Sequence, residues 1–243
     1  MNNIGGFKWG SSDLLDGKYL SAYGGIIVVT INYRLGLLGF LRLDENDAPS
    51  NVGIWDQKLV LEWVNNNKVS FGGDKSKVSI LGVSAGAVGA PILALYPENK
   101  GLFQRVLVHG HSVTSPEYKW NSGYTLETDY VVRSLRCSSE SSTDTLNCLR
   151  NISASSLAAD VKAYSVEARR NMLRDMFYLP TIDGTFIKGN PNDLTKENNR
   201  EHEKSLDFFK TLDFLQGYSI YDAGFLFQNL LNISYAEQFK PTK

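Results

Sequence analysis

Apolar and polar positions alternate along the chain in short blocks, some with the period of a strand and some with that of a helix. Gly25-Ile26-Ile27-Val28-Val29-Thr30-Ile31-Asn32 is almost continuously apolar and β-branched, as in a strand covered on both faces of a parallel sheet. It predicts a central strand. Between residues 51 and 66, Ile54, Leu59, Val60, Leu61, Trp63 and Val64 keep a helical spacing that stops in Asn65-Asn66-Asn67, which predicts a surface helix packed on that sheet. Shorter strand-like runs follow at residues 78–81, 105–108 and 214–218, with helical or loop material between them. Strands alternating with helices predict an α/β fold. Residues 137–156 turn to serine, threonine and asparagine and read as an exposed loop or an excursion from the sheet. Residues 188–204 form a second polar stretch, with Gly189 and Pro191 near its head, and read as a mobile segment.

Composition narrows the class. The 243 residues are 42% apolar and 21% charged, with 25 basic against 26 acidic side chains and a net charge of −1. Such a chain is long enough to bury a core. A near-neutral balance supplies no field that would draw in nucleic acid. The longest apolar run, near residues 25–31, falls far short of the roughly 18 residues of a membrane span. Met1-Asn2-Asn3-Ile4-Gly5-Gly6-Phe7 has no basic region leading into an apolar stretch, so the expectation is a cytosolic protein or a beginning that lies upstream.

The candidate chemistry centres on Gly82-Val83-Ser84-Ala85-Gly86, which follows the strand-like residues 78–81 and precedes the helix-like residues 87–96. A nucleophile elbow needs that setting. The strand-to-helix turn forces the serine into a strained backbone, and flanking glycines let strand and helix approach. Ser84 would then present its hydroxyl above the sheet.

Further blocks stand in order ahead of this elbow: Thr30-Ile31-Asn32-Tyr33-Arg34-Leu35-Gly36, Gly39-Phe40-Leu41, Asn51-Val52-Gly53-Ile54-Trp55-Asp56-Gln57 and Phe71-Gly72-Gly73-Asp74. Together they resemble the type B carboxylesterase and cholinesterase family, over nearly the whole chain from Gly5 to about Phe227. The resemblance implies a partial α/β-hydrolase fold over residues 1–243, a mostly parallel sheet with flanking helices that lacks the family's first strands and its C-terminal part. It implies a serine carboxylic-ester hydrolase that acts through an acyl-enzyme on a small ester, without a cofactor or metal.

Residue roles follow from the same resemblance. Gly5-Gly6-Phe7 resembles the end of the family's oxyanion loop, with Asn3 and Ile4 in place of its histidine and first glycine. Backbone N–H groups of Gly5, Gly6 and Ala85 would then face the oxyanion; a flexible terminus is the plainer reading of the diglycine. Asp222, counted from Gly217, falls where the family carries its triad acid, although Gly224 counted backwards would favour position 223. Asp222 also reads as the N-cap of an amphipathic helix over residues 223–231. No histidine stands between Asp222 and Lys243, so the triad base is expected outside this chain, which would be an internal fragment with little or no activity. His109 and His111 stand where the family has Gln-Ser-Gly and read as structural or solvent-facing, and His202 as surface.

Val83 replaces the glutamate common in the family's elbow, which weakens the case for a cationic choline ester. Pro91 lacks the N–H owed to the Ala87 carbonyl and is expected to kink its helix. Arg34 and Asp56 match a buried salt bridge of the family, while Asp183-Gly184 reads as a turn and not as the acid. Cys137 and Cys148 match a small disulfide-closed loop of many members, with free thiols in a reducing compartment as the alternative. With the sequons at Asn151 and Asn232, the cysteines lean towards a secretory origin. The runner-up function is a non-catalytic adhesion protein, as in the neuroligin-like branch, whose members typically lose the nucleophilic serine.

Overall fold

The computed structural model describes residues 5–43, 50–74, 76–115, 120, 126–170, 178–193 and 203–219. Along the chain, helices α1 (Lys18–Gly24), α2 (Gly36–Phe40) and α3 (Val52–Asn67) precede strand β1 (Ser79–Val83). Helix α4 (Ala85–Ala94) then leads to β2 (Arg105–His109). Helices α5 (Leu126–Ser134), α6 (Ser142–Arg150), α7 (Ala154–Arg170) and α8 (Glu203–Phe209) intervene before β3 (Asp213–Gly217). Among the described residues the sheet is parallel, in the order β1-β2-β3, with Val83 opposite His109 and His109 opposite Gly217. The α/β expectation is borne out, and all three carboxyl ends lie along one edge.

Helix α4 is the centre of the core. All ten of its residues are buried, the state expected of a helix that is apolar on every side. It packs against β1 and β2, on the sheet face that carries the buried Ile80, Val106 and Val108. Pro91 sits inside α4 without ending it, and Leu95 N–H closes on the Pro91 carbonyl at 2.9 Å. Helix α3 buries Ile54, Gln57 and Leu61, a stripe at i, i+3 and i+7 that faces its neighbours α2 and α4. Leu59 and Trp63 point away from that stripe and are exposed.

Two sequence readings need correction. Residues 26–35 belong to no strand, and Ile26 and Val29 remain 48% and 44% exposed. A β-branched run becomes a strand only where a neighbour completes its ladder, and no described strand pairs with it. Residues 137–156 are not a loop either but a helical excursion between β2 and β3, since they hold α6 and the start of α7. Ser141 caps α6 by accepting from Asp144 N–H at 3.2 Å. Thr145 and Leu149, four apart, supply its buried face, a narrow stripe that the polar composition hides. In the second polar stretch, residues 191–193 form one tight helical turn and Glu203 opens α8.

A buried polar clamp ties the segment after α7 to the head of α3. Asn51 bonds both main-chain groups of Thr181, at 2.8 and 2.9 Å, and its amide also donates to Asp183 Oδ2 at 2.7 Å. Asp183 Oδ1 in turn accepts from the N–H groups of Thr185, Phe186 and Ile187. The Asp183-Gly184 turn reading therefore holds, with Gly184 at φ 69°. The same turn seats Phe186 on Tyr96, with ring centres 4.0 Å apart and stacked, and against Trp55 at 4.8 Å.

Candidate active site

Ser84 occupies the turn between β1 and α4, with φ 55° and ψ −119°. A non-glycine residue held at positive φ stores strain that surrounding contacts must maintain. Those contacts are visible. Ser84 N–H donates to the His109 carbonyl at 3.0 Å, and the Ser84 carbonyl accepts from Ala87 N–H at 2.8 Å. The preceding glycine is required because a Cβ on Gly82 would stand 2.0 Å from the Gly86 carbonyl oxygen. Although Ser84 holds the N-cap position of α4, its side chain makes no cap bond. Its hydroxyl is left uncommitted by the helix it begins, in a half-buried position. Ala85, next in the chain, is buried in the first turn of α4, where N–H groups lack intrahelical acceptors.

Gly5 and Gly6 form a turn bridged to Trp9, with Lys8 N–H on the Gly5 carbonyl at 2.9 Å and Gly6 at φ 61°. Phe7 anchors this turn. Its ring is fully buried in the same apolar cluster as Ala85, edge-on to Phe40 at 5.1 Å, and its carbonyl accepts from Gly36 N–H at 2.7 Å. The diglycine is thus fastened to the core through its neighbour. Asp222, Asn232, His202, Asn3 and Ile4 lie outside the described residues.

Arg34 and Asp56 form a two-pronged pair, from Nε at 2.8 Å and Nη2 at 2.7 Å, with Arg34 N–H adding a third bond at 3.0 Å. The pair is not buried as expected, since the two side chains are 54% and 23% exposed. Burial by itself would raise the Asp56 carboxyl, but the bonds and charge of Arg34 outweigh it and hold the group below its ordinary range. Cys137 and Cys148 are joined as a disulfide. Asn151 is exposed just past the end of α6. A cavity of about 330 Å³ lined by Asp129, Arg133, Ser139, Ser142 and their neighbours opens between α5 and α6. None of its lining residues comes from the carboxyl edge of the sheet.

Sequence reading passed over two features. Asn51, taken only as part of a motif, is the hub of the clamp. His109 sits beside the elbow because β2 runs in register with β1, and residues at the carboxyl ends of parallel strands are where sites collect.

A parallel sheet whose first described strand ends in a strained serine heading a buried helix defines the α/β-hydrolase class. The sequence model of the carboxylesterase family matches residues 4–239. This chain belongs to the carboxylesterase family, a membership that supports an esterase-type hydrolase. It is 38% identical to cholinesterase 2 of Branchiostoma lanceolatum over 77% of this chain and 55% of that protein. It is 37% identical to the acetylcholinesterase of Gallus gallus over 77% and 25%. Neuroligin-2 of Mus musculus is 33% identical, over 79% of this chain and 22% of its own. The chain spans little more than half the length of the Branchiostoma protein and about a quarter or less of the other two.

Proposed function

We propose that the protein is a serine carboxylic-ester hydrolase in which Ser84 is the nucleophile. The supporting observation is the strained, uncapped Ser84 in a turn that its neighbours maintain. Its Oγ attacks the ester carbonyl carbon and the alcohol departs, leaving an acyl-enzyme. Water then attacks the acyl carbon and frees Ser84. The amides of Gly5, Gly6 and Ala85 are the proposed donors to the oxyanion, a contribution of typically about 3 to 4 kcal/mol for a single donor. Asp222 is the proposed acid that orients a histidine base. Substrates are small-molecule carboxylic esters, and Val83, which leaves no carboxylate beside the nucleophile, weakens the case for a cationic choline ester. The disulfide and the exposed sequon at Asn151 suit passage through the secretory pathway, with Asn232 as a second proposed glycosylation site.

The alternative, a non-catalytic interaction protein, draws on the similarity to neuroligin-2; retention of Ser84 favours the hydrolase. Hydrolysis of p-nitrophenyl acetate by the full-length protein separates the two. The hydrolase reading expects turnover that falls by about 10⁴-fold or more in Ser84→Ala. Equal rates in both proteins would leave only the interaction reading.

A further inference from the structure

We propose that the cavity between α5 and α6 is a binding site for a single neutral sugar ring, separate from Ser84 and independent of its role. The cavity measures about 330 Å³, at the lower end of the roughly 300–1,000 Å³ of small-molecule sites. That size suits one ring and not an extended chain. Val132 of α5 and Leu43, which follows α2, are buried and give the lining an apolar side.

The rest of the lining carries polar groups that the fold leaves uncommitted. Thr145 of α6 lines the cavity and is only 4% exposed, yet its hydroxyl makes no hydrogen bond among the described residues. Buried hydroxyls are ordinarily paired; an unpaired one at a cavity wall calls for a partner that enters the cavity. The hydroxyls of Ser138 and Ser142, also in the lining, make no hydrogen bond among the described residues either. At the rim, Arg133 Nε stands 2.9 Å from Asp129 Oδ1. The terminal nitrogens of that guanidinium and Asp129 Oδ2 are left to an incoming group.

The balance of these groups selects the ligand. One cation and one anion, already paired, give the lining no net charge, so an anion gains no Coulombic advantage there. The head of α6 offers an anion little more, because Ser141 Oγ already accepts from Asp144 N–H at 3.2 Å and the Asp144 carboxylate stands in the same first turn. Hydroxyls that donate and accept at once, beside a guanidinium and a carboxylate, match the hydroxyls of a sugar, each of which also does both. The apolar side takes the C–H face of the ring. These walls are fixed in advance: Cys137, whose N–H donates to the Val132 carbonyl at 2.8 Å, is joined to Cys148, three residues beyond Thr145 on α6. Little ordering is left to oppose binding.

The test is saturation-transfer NMR of methyl galactoside, methyl glucoside and a galactose-terminated glycopeptide with the folded full-length protein. Transfer to the ring protons should saturate at around 1 mM of at least one probe, the affinity that a few net hydrogen bonds supply. In Thr145→Val, which removes the hydroxyl and keeps the shape, the affinity falls about fivefold, the loss of one net hydrogen bond. By calorimetry the same variant melts no lower than the parent, because the hydroxyl loses no partner among the described residues. Arg133→Gln, on the exposed rim, is a second variant with the same expected loss of affinity. A glycopeptide bound more tightly than methyl galactoside identifies a glycan as the source of the ring, and equal affinities identify the free sugar. Absence of saturable transfer from all three probes overturns the proposal, as does unchanged affinity in either variant. A melting temperature raised by inorganic phosphate and by none of the sugars makes the cavity an anion site and overturns it too.

Discussion

At the scale of single residues, the elbow is set by what cannot fit. The Gly86 carbonyl occupies the space where a side chain on Gly82 would begin, so strand and helix meet only over hydrogen. Gly82→Ala is expected to destabilise the fold by about 3 kcal/mol, the upper range for forced overpacking, measured as a lower urea midpoint with an unchanged slope. Asp56 carries a second expectation. Its folded carboxyl titrates below the unfolded one, at about 3.9, because Arg34 outweighs the burial of the group. The resulting stability is present above that unfolded value and is lost as pH falls through the folded one. The difference between the parent and Asp56→Asn should therefore shrink between pH 5 and pH 2 in urea titrations. It should also be modest, because both partners are partly exposed and solvent screens such pairs.

At the scale of elements, legibility tracked how local the cause was. Strands β1, β2 and β3 and helix α3 were readable as short apolar runs or a helical spacing with their own stops, and α4, apolar on every side, was readable from its place directly after the elbow. The elbow was readable because one turn defines it. The run at residues 25–32 misled because a strand is a property of two segments, and the ladder partners it needs are not among the described residues. Helix α6 was missed because its buried face is only Thr145 and Leu149, and because Cys148, through Cys137, pins it to the end of α5. That bridge spans a sequence separation of 11. The loss of so short a loop closure is worth somewhat under about 3 kcal/mol. A Cys137→Ser/Cys148→Ser double variant should melt roughly 6–10 °C lower by calorimetry. An unchanged midpoint would mean that α5 and α6 hold each other without the bridge.

At the scale of the whole molecule, α4 covers one face of the described sheet, and the other face carries leucines that are partly exposed. Leu81, Leu107 and Leu215 stand opposite one another across the three strands. Leu81 and Leu215 are 38% and 66% exposed, although parallel sheets are ordinarily buried on both faces. The curated relatives it matches are longer than this chain, which spans 55% of one Branchiostoma cholinesterase and 25% of the Gallus acetylcholinesterase. The positions of the diglycine turn and of Ser84 in the fold were not legible in the sequence, because they depend on segments distant along the chain, and Asp222, read only by counting from Gly217, lies outside the described residues. The most direct measurement of the central claim is the mass of the tryptic peptide containing Ser84 after the folded full-length protein has met a fluorophosphonate. The account predicts one phosphonyl group on Ser84, lost in Ser84→Ala. An unmodified Ser84 in protein shown by calorimetry to be folded would contradict it.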